Sequence, residues 1–165
     1  MPYEATFDRL ATQALFDLKG PARQLRDWVG ELLPEFPEQA NSGTMTGGKA
    51  LYYIGLDHWL LRAELPEEQA LIAELRPADA PPDISIVQIS DTQAYFRITG
   101  SQADEVLAIG CPMNLHAREF GTGAASFTEF FGLRALVTRC DSGFDVAVEQ
   151  SFGPMIEDYL NRALR

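Results

Sequence analysis

The feature of this sequence that most limits its fold is a segment written twice. Thr12-Gln13-Ala14-Leu15-Phe16-Asp17-Leu18-Lys19-Gly20 aligns with Thr92-Gln93-Ala94-Tyr95-Phe96-Arg97-Ile98-Thr99-Gly100, 80 residues further on, with five identities. A repeat restricts the fold more than local propensity does, because both copies must settle into the same supersecondary unit. Each copy reads as a strand that ends at a glycine.

A helix is expected after each glycine. Pro21 suits the first turn of one, and Ser101 suits the N-cap of the other, where its hydroxyl would accept a free backbone N–H. Ala22, Leu25, Trp28, Val29, Leu32 and Leu33 recur at helical spacing, and residues 102–109 carry Ala103, Val106 and Leu107 on one side. A strand pair comes next in each half: 50–54 with 59–63 across Gly55-Leu56-Asp57-His58, and 133–140 with 144–148 across Asp141-Ser142-Gly143. Both halves close with a helix. Residues 67–76 hold Leu71, Ile72 and Leu75, while Phe152, Met155, Ile156, Tyr159, Leu160, Ala163 and Leu164 follow the apolar spacing of a long amphipathic helix.

Residues 77–83, rich in proline, read as an extended connection. The β-branched run 84–89 reads as a strand, joined by Ser90-Asp91 to the strand 93–99 in a hairpin. The whole predicts an α+β architecture: a duplicated strand-helix-hairpin-helix unit with mostly antiparallel sheet and helices packed on one face. It is expected to form one pseudo-symmetric domain over residues 1–165, with halves at about 1–76 and 84–165.

Charge excludes some partners. The chain has 24 acidic and 13 basic side chains, a formal charge of −11, which repels phosphate backbones and anionic lipid surfaces. Nucleic acid and membrane partners are therefore not expected. Lys19 and Lys49 are the only lysines, so the positive charge is mostly arginine, the cation better suited to planar ion pairs at protein interfaces. The N-terminal residues carry neither a basic segment nor an apolar run, and no stretch is long enough to span a bilayer, so a cytoplasmic location is expected. Cys111 and Cys140 lack disulfide-framework or CxxC spacing and are expected as thiols.

Chemistry-bearing residues are few. Cys111 and His116 are the one close pair of zinc-type ligands, short of the three or four that a site needs. Cys111 follows Gly110 at a helix C-terminus, where the dipole disfavours a thiolate, and Pro112 stops the helix; a buried thiol in a terminating turn is expected. Asp57 and His58 invite an acid/base reading, but adjacent side chains rarely converge, so a solvated turn before a core Trp59 is preferred. Glu129 sits among phenylalanines; in a strand it would share a face with Phe127 and Phe131, either as a desolvated acid or as an edge carboxylate paired to arginine. The segment 43–49 looks like a phosphate loop, yet Ala50 stands where GxxxxGK[ST] needs Ser or Thr, and a flexible loop is expected there. Neither GxGxxG nor GxSxG occurs.

Several of these segments carry a resemblance. Ile54-Gly55-Leu56-Asp57-His58-Trp59-Leu60-Leu61, the run Ala108 to Phe120 with its Gly-Cys-Pro and Leu-His, Ser142-Gly143-Phe144 and Gln150-Ser151-Phe152 resemble the gamma subunit of heterotetrameric sarcosine oxidase. That family resembles half-sized relatives of the folate-binding aminomethyltransferase fold. The resemblance implies a complex in which a beta-type chain holds FAD and oxidises an N-methyl amine. Electrons would pass through FMN shared with an alpha-type chain, which also binds NAD and tetrahydrofolate. The present chain would bind none of these cofactors and would not be catalytic by itself, stabilising the complex by packing on the alpha-type chain. Cys111, Pro112, Leu115, His116 and Phe120 are the candidate partner interface. The alternative is a stand-alone folate-binding one-carbon transferase-like module, for which Glu129 is the candidate carboxylate.

Overall fold

The computed structural model describes residues 2–165. Among the described residues ten strands and four α-helices follow in chain order. The first part holds β1 (Ala5–Leu10), β2 (Gln13–Lys19), α1 (Ala22–Val29), β3 (Gly43–Thr46), β4 (Lys49–Gly55), β5 (His58–Glu64), α2 (Glu68–Leu75) and β6 (Ser85–Gln88). The second holds β7 (Gln93–Gly100), α3 (Ala103–Ala108), β8 (Ala125–Phe130), β9 (Leu133–Cys140), β10 (Gly143–Glu149) and α4 (Gly153–Ala163). The repeated segments are β2 and β7, as their pattern requires.

Two compact units result: an inner unit of residues 12–91, and a terminal unit that joins residues 92–165 to the N-terminal segment through Ala11. The inner sheet runs β3-β4-β5-β2-β6 and the terminal sheet runs β1-β7-β10-β9-β8, five strands each, with every neighbour antiparallel. Expressed through the repeat, the two orders are the same. The repeated strand is flanked on one side by the hairpin and on the other by a short leading strand, β6 beside β2 and β1 beside β7.

The leading strands are exchanged between the copies. β1 precedes β2 in the chain but pairs with β7, from Ala5↔Gly100 to Leu10↔Tyr95. β6 precedes β7 but pairs with β2, from Phe16↔Gln88 to Lys19↔Ser85. The hairpin expected between residues 84–89 and 93–99 therefore does not form. Ile86 is buried in the inner core, the Ile89 N–H donates to the Leu15 carbonyl at 2.8 Å, and the Leu15 N–H donates to Ser90 Oγ at 3.1 Å. These bonds hold the chain against β2 until a 3-10 turn at Ser90–Thr92 releases it.

The glycine that ends each repeated strand makes this exchange possible. Gly20 has φ +127° and Gly100 has φ +121°, in the region that side-chain-bearing residues rarely adopt. A Cβ on Gly20 would lie 2.7 Å from the Asp83 carbonyl oxygen, and one on Gly100 would lie 2.7 Å from Ala5 Cα. Each glycine thus lets the backbone just ahead of the leading strand pass against the end of the repeated strand.

Each sheet lays one face on its helices. In the inner unit Phe16, Leu18, Leu51, Trp59 and Leu61 pack with Leu25 and Val29 of α1 and Leu71 and Leu75 of α2. In the terminal unit Phe96, Ile98, Val137, Phe144 and Val146 pack with Val106 and Leu107 of α3 and Ile156 and Leu160 of α4. Burying large apolar side chains of this kind stabilises by roughly 1.5–3 kcal/mol each before chain entropy is charged against it. Two helix ends in the inner unit clasp each other: Trp28 Nε1 donates to the Leu75 carbonyl at 2.8 Å, and the Arg76 guanidinium lies over the Trp28 ring at 4.0 Å and donates to the Trp28 carbonyl at 3.2 Å. Each bond satisfies a carbonyl left open near a helix C-terminus. The 3-10 turn Gln150–Phe152 that leads into α4 is capped by the Glu149 side chain. Hydrogen bonds from the Ser151 hydroxyl and then its backbone N–H hold the Glu149 carboxyl below the usual carboxylate range.

Some local expectations are corrected. Helix α1 ends at Val29 because Gly30 turns to φ +59°, so Leu32 and Leu33 pack from a 3-10 turn and the segment after it. Gln102, not Ser101, takes the α3 N-cap position, while the Ser101 hydroxyl donates to Glu4 at 2.9 Å. Residues 43–49 are not a flexible loop: β3 and β4 form a hairpin through Gly47 and Gly48 at φ +57° and +78°, the pair of positive angles a tight turn requires. Pro77–Asp79 forms a 3-10 turn within the proline-rich connection.

Replacing Gly20 or Gly100 by Ala is expected to cost about 2–4 kcal/mol, since strain at positive φ adds to a backbone collision. Chemical denaturation of each variant checks this. A cost below about 0.5 kcal/mol at both sites would remove the role given to these glycines.

Candidate functional site

The segment singled out by sequence begins where α3 ends. The Cys111 N–H donates to the Leu107 carbonyl at 3.0 Å, closing the helix, and the Cys111 side chain is buried in the terminal core. The expected terminating turn with a buried thiol is what forms. Gly110 is fixed by its neighbour: the Phe131 ring lies where a Gly110 Cβ would approach it to 2.8 Å, and the Phe131 N–H donates to the Gly110 carbonyl at 2.9 Å. Phe131 itself sits at φ +49° in the β8–β9 turn, its ring 4.6 Å from Phe130 and 5.1 Å from Tyr159 between centroids.

Beyond Pro112 the chain folds back on itself. Leu115 and Phe120 are buried in the same core as Cys111. The Arg139 guanidinium donates to the Leu115 carbonyl and lies 4.4 Å over the Phe144 ring. His116 shapes the following turn, its Nδ1 accepting the Arg118 N–H at 3.2 Å and its carbonyl accepting the Glu119 and Phe120 N–H groups. Of the five residues named as a partner interface, Cys111, Leu115 and Phe120 are therefore committed to their own core, whereas Pro112 and His116 are exposed.

The second polar constellation was not legible in full. His58 Nε2 hydrogen-bonds Asp17 Oδ1 across the β2–β5 ladder, and Lys19 Nζ lies 2.9 Å from Asp17 Oδ2. Adjacent Asp57 takes no part; it occupies the turn at φ +53° with its carbonyl accepting the Gly20 N–H at 2.9 Å. An imidazole oriented by a carboxylate is one half of acid/base machinery. Directly opposite Asp17 in the two ladders stand Leu60 and Val87. Trp59, next to His58, is buried as expected, with Nε1 donating to the Pro37 carbonyl at 2.9 Å.

Arg97 and Asp145 form a bidentate pair that sequence reading missed, with Nε to Oδ1 at 2.7 Å and Nη2 to Oδ2 at 2.9 Å. Asp145 is buried and Arg97 stands opposite it on β7, the geometry in which arginine pairs best with carboxylate. Glu129 is exposed on the edge strand β8, opposite Arg134 in register, and Arg134 lies 4.1 Å over Phe127. Phe127 shares its side of the strand, but Phe131 belongs to the turn and leaves for Gly110. Among the described residues no group of three or more His, Cys, Asp or Glu could hold a metal ion. A cavity of about 220 Å³ lies at the start of α3, lined in part by Ser101, Asp104, Arg139 and Asp141. No helix among the described residues is long and apolar enough to cross a membrane.

Gly110→Ala is expected to destabilise by about 1–3 kcal/mol, because the Phe131 ring it would displace is wedged against Phe130 and Tyr159. The double variant Gly110→Ala, Phe131→Ala should cost less than the sum of the two single changes, measured by denaturation; strict additivity would show that the two residues do not act on each other.

No family model matches the chain. Among curated proteins it is 33% identical over 92 residues to sarcosine oxidase subunit gamma of Corynebacterium sp. (strain U-96), covering 56% of this chain and 44% of that one. It is 30% identical over 118 residues to the subunit of the same name from Corynebacterium sp. (strain P-1), covering 70% of this chain and 55% of that one. The chain thus spans about half the length of the curated relatives it matches. Among solved structures, a chain of heterotetrameric sarcosine oxidase from Corynebacterium sp. U-96, in complex with pyrrole 2-carboxylate, superposes with a TM-score of 0.84 at 24% identity, over 97% of this chain and 83% of that chain. Aminomethyltransferase T of the glycine cleavage system from Bartonella henselae superposes with a TM-score of 0.71 at 15% identity, over 96% of this chain and 46% of the other. The α+β fold of two antiparallel sheets is therefore shared with both structures, and by sequence the chain is similar to curated sarcosine oxidase gamma subunits over 92 to 118 residues.

Proposed function

We propose that this chain is a non-catalytic gamma-type subunit of a heteromeric, flavin-dependent oxidase of sarcosine or another N-methyl amino acid, stabilising the complex by packing on an alpha-type chain. The observation that carries the reading is the identity of 30–33% to curated gamma subunits. The fate of the most specific motif supports it. Residues 110–120 are held by internal packing and hydrogen bonds, with Cys111 buried and His116 engaged in its own turn, so the segment is built as a rigid surface instead of a reactive one. FAD, FMN, NAD and tetrahydrofolate would be housed by alpha- and beta-type chains, in the cytoplasm. A partner would meet this segment through Pro112 and His116, its exposed members among the candidates.

The alternative of a stand-alone folate-binding transferase rests on Glu129, and the position of that side chain does not favour it. An exposed carboxylate on an edge strand, facing Arg134 in register, lacks the enclosed surroundings that would desolvate a pterin-binding acid.

Co-expression with candidate alpha- and beta-type chains from the same genome tests the proposal. The three should co-purify, and omitting this chain should lower the yield of assembled oxidase while leaving the flavin content of what does assemble unchanged. The pair Pro112→Ala, His116→Asn, in which the asparagine keeps an acceptor for the Arg118 N–H, should weaken assembly by about tenfold or more, about 1.4 kcal/mol, with thermal stability of the isolated chain little changed. A stoichiometric flavin spectrum from the isolated chain, or failure to co-purify with any such partner, would refute the reading.

A further inference from the structure

The edge of β7 in the terminal unit is closed by β1, and the way it does so reads sequence as well as backbone. Six residue pairs run antiparallel from Ala5↔Gly100 to Leu10↔Tyr95. The Phe7 ring packs 6.3 Å from Phe96, and the Arg9 guanidinium lies 5.9 Å over Phe96 while donating to Glu157 of α4 at 3.2 Å. Gly153 leaves room for that arginine, since a Cβ there would come within 2.9 Å of Arg9 Nη2. Thr6 and Thr99 share a hydroxyl hydrogen bond at 3.2 Å, and the Glu4 N–H donates to Gln102 Oε1 at 2.7 Å. The terminal unit therefore offers a strand-length slot with a place for an aromatic ring and a place for a guanidinium.

The occupant of this slot is tethered from the wrong side. β1 continues through Ala11 and Thr12 into β2, which belongs to the inner unit, and the chain returns to the terminal unit only at Thr92. We propose that the β7 edge is a strand-acceptor site and β1 an exchangeable occupant, which the β1 segment of a second copy of this chain can replace. Strand addition to an open edge draws affinity from main-chain hydrogen bonds and specificity from alternate side chains, and both are present here. In the intact chain the tether makes pairing of its own strand intramolecular, which favours that strand over the one from a second copy. Cutting the tether removes that advantage and leaves an open equilibrium between equivalent strands. This inference does not depend on the oxidase reading, since it concerns the closure of one unit of this chain.

A protease recognition sequence inserted between Ala11 and Thr12 of the full chain, and cut after folding, tests the proposal. The cut protein should keep its strand-rich circular dichroism and take up a fluorescent peptide of residues 2–11 saturably, displaced by the unlabelled peptide. A peptide carrying Phe7→Asp and Arg9→Ala should compete about tenfold less well or worse. Loss of structure that added peptide does not restore, no uptake over days, or equal competition by the altered peptide would each overturn the proposal. Hydrogen exchange on the uncut, unaltered chain gives a readout independent of the insertion. Amides joining β1 to β7 should exchange at least about tenfold faster than those joining β9 to β10, and equal protection of the two ladders would overturn it.

Discussion

The structure depends on one constraint: neither sheet is complete without a strand that the sequence places next to the other copy of the repeat. β7 needs β1, and β2 needs β6. A four-stranded remnant would present a long open edge with unpaired N–H and C=O groups along a strand that carries core residues, Phe96 and Ile98 in one unit and Phe16 and Leu18 in the other. Exchange of leading strands covers both β7 and β2 and moves each sheet edge out to a short strand, β1 or β6. It also ties the folding of the units together, because each strand exchanged is covalently continuous with the unit it leaves.

That constraint explains the most conspicuous identity of the repeat, the terminal glycine. Gly20 and Gly100 occupy equivalent places, share a positive φ, and are approached by equivalent backbone, at Asp83 and Ile84 in one case and Glu4 and Ala5 in the other. The match therefore extends beyond the two glycines to the segments that meet them. Side-chain equivalence stops at the opposite face of the same strands. Asp17, bound to His58 and Lys19, stands where the second copy has Arg97, bound to Asp145. Core-facing positions kept their apolar character in both copies, Phe16 with Phe96 and Leu18 with Ile98, while the other face took opposite charges and found a different partner for each.

Much of this was legible because it is periodic or local. The repeated strands, the hairpins 49–64 and 133–149, and the helices α2 and α4 are written in apolar spacing and turn residues, and the Gly110-Cys111-Pro112 turn is written in helix-stop chemistry. The partner of a short strand is not local. Residues 84–89 have the composition of a strand, but composition is silent on whether β2 or β7 lies beside them, and adjacency in sequence pointed to the wrong one. β3 was hidden by its glycines, which read as flexibility until Gly47 and Gly48 are seen to form the turn itself. His58 with Asp17 needed the β2–β5 register, in which His58 faces Lys19 and reaches Asp17 obliquely. No spacing rule along one strand reports that.

The same distinction governs the candidate site. Gly110 to Phe120 is a specific sequence without reactive chemistry, and its specificity has a packing cause. Gly110 must lack a side chain to accept Phe131, Cys111 and Leu115 must fit the core, and His116 must accept the Arg118 N–H to close the next turn. A segment so constrained from within presents its remaining exposed groups in one fixed arrangement. Fixed surface is what an assembling subunit requires, because every side chain already ordered before binding is entropy that association does not have to remove. In the proposed assembly role, the rigid internal packing of these residues is what would hold their exposed groups ready for a partner.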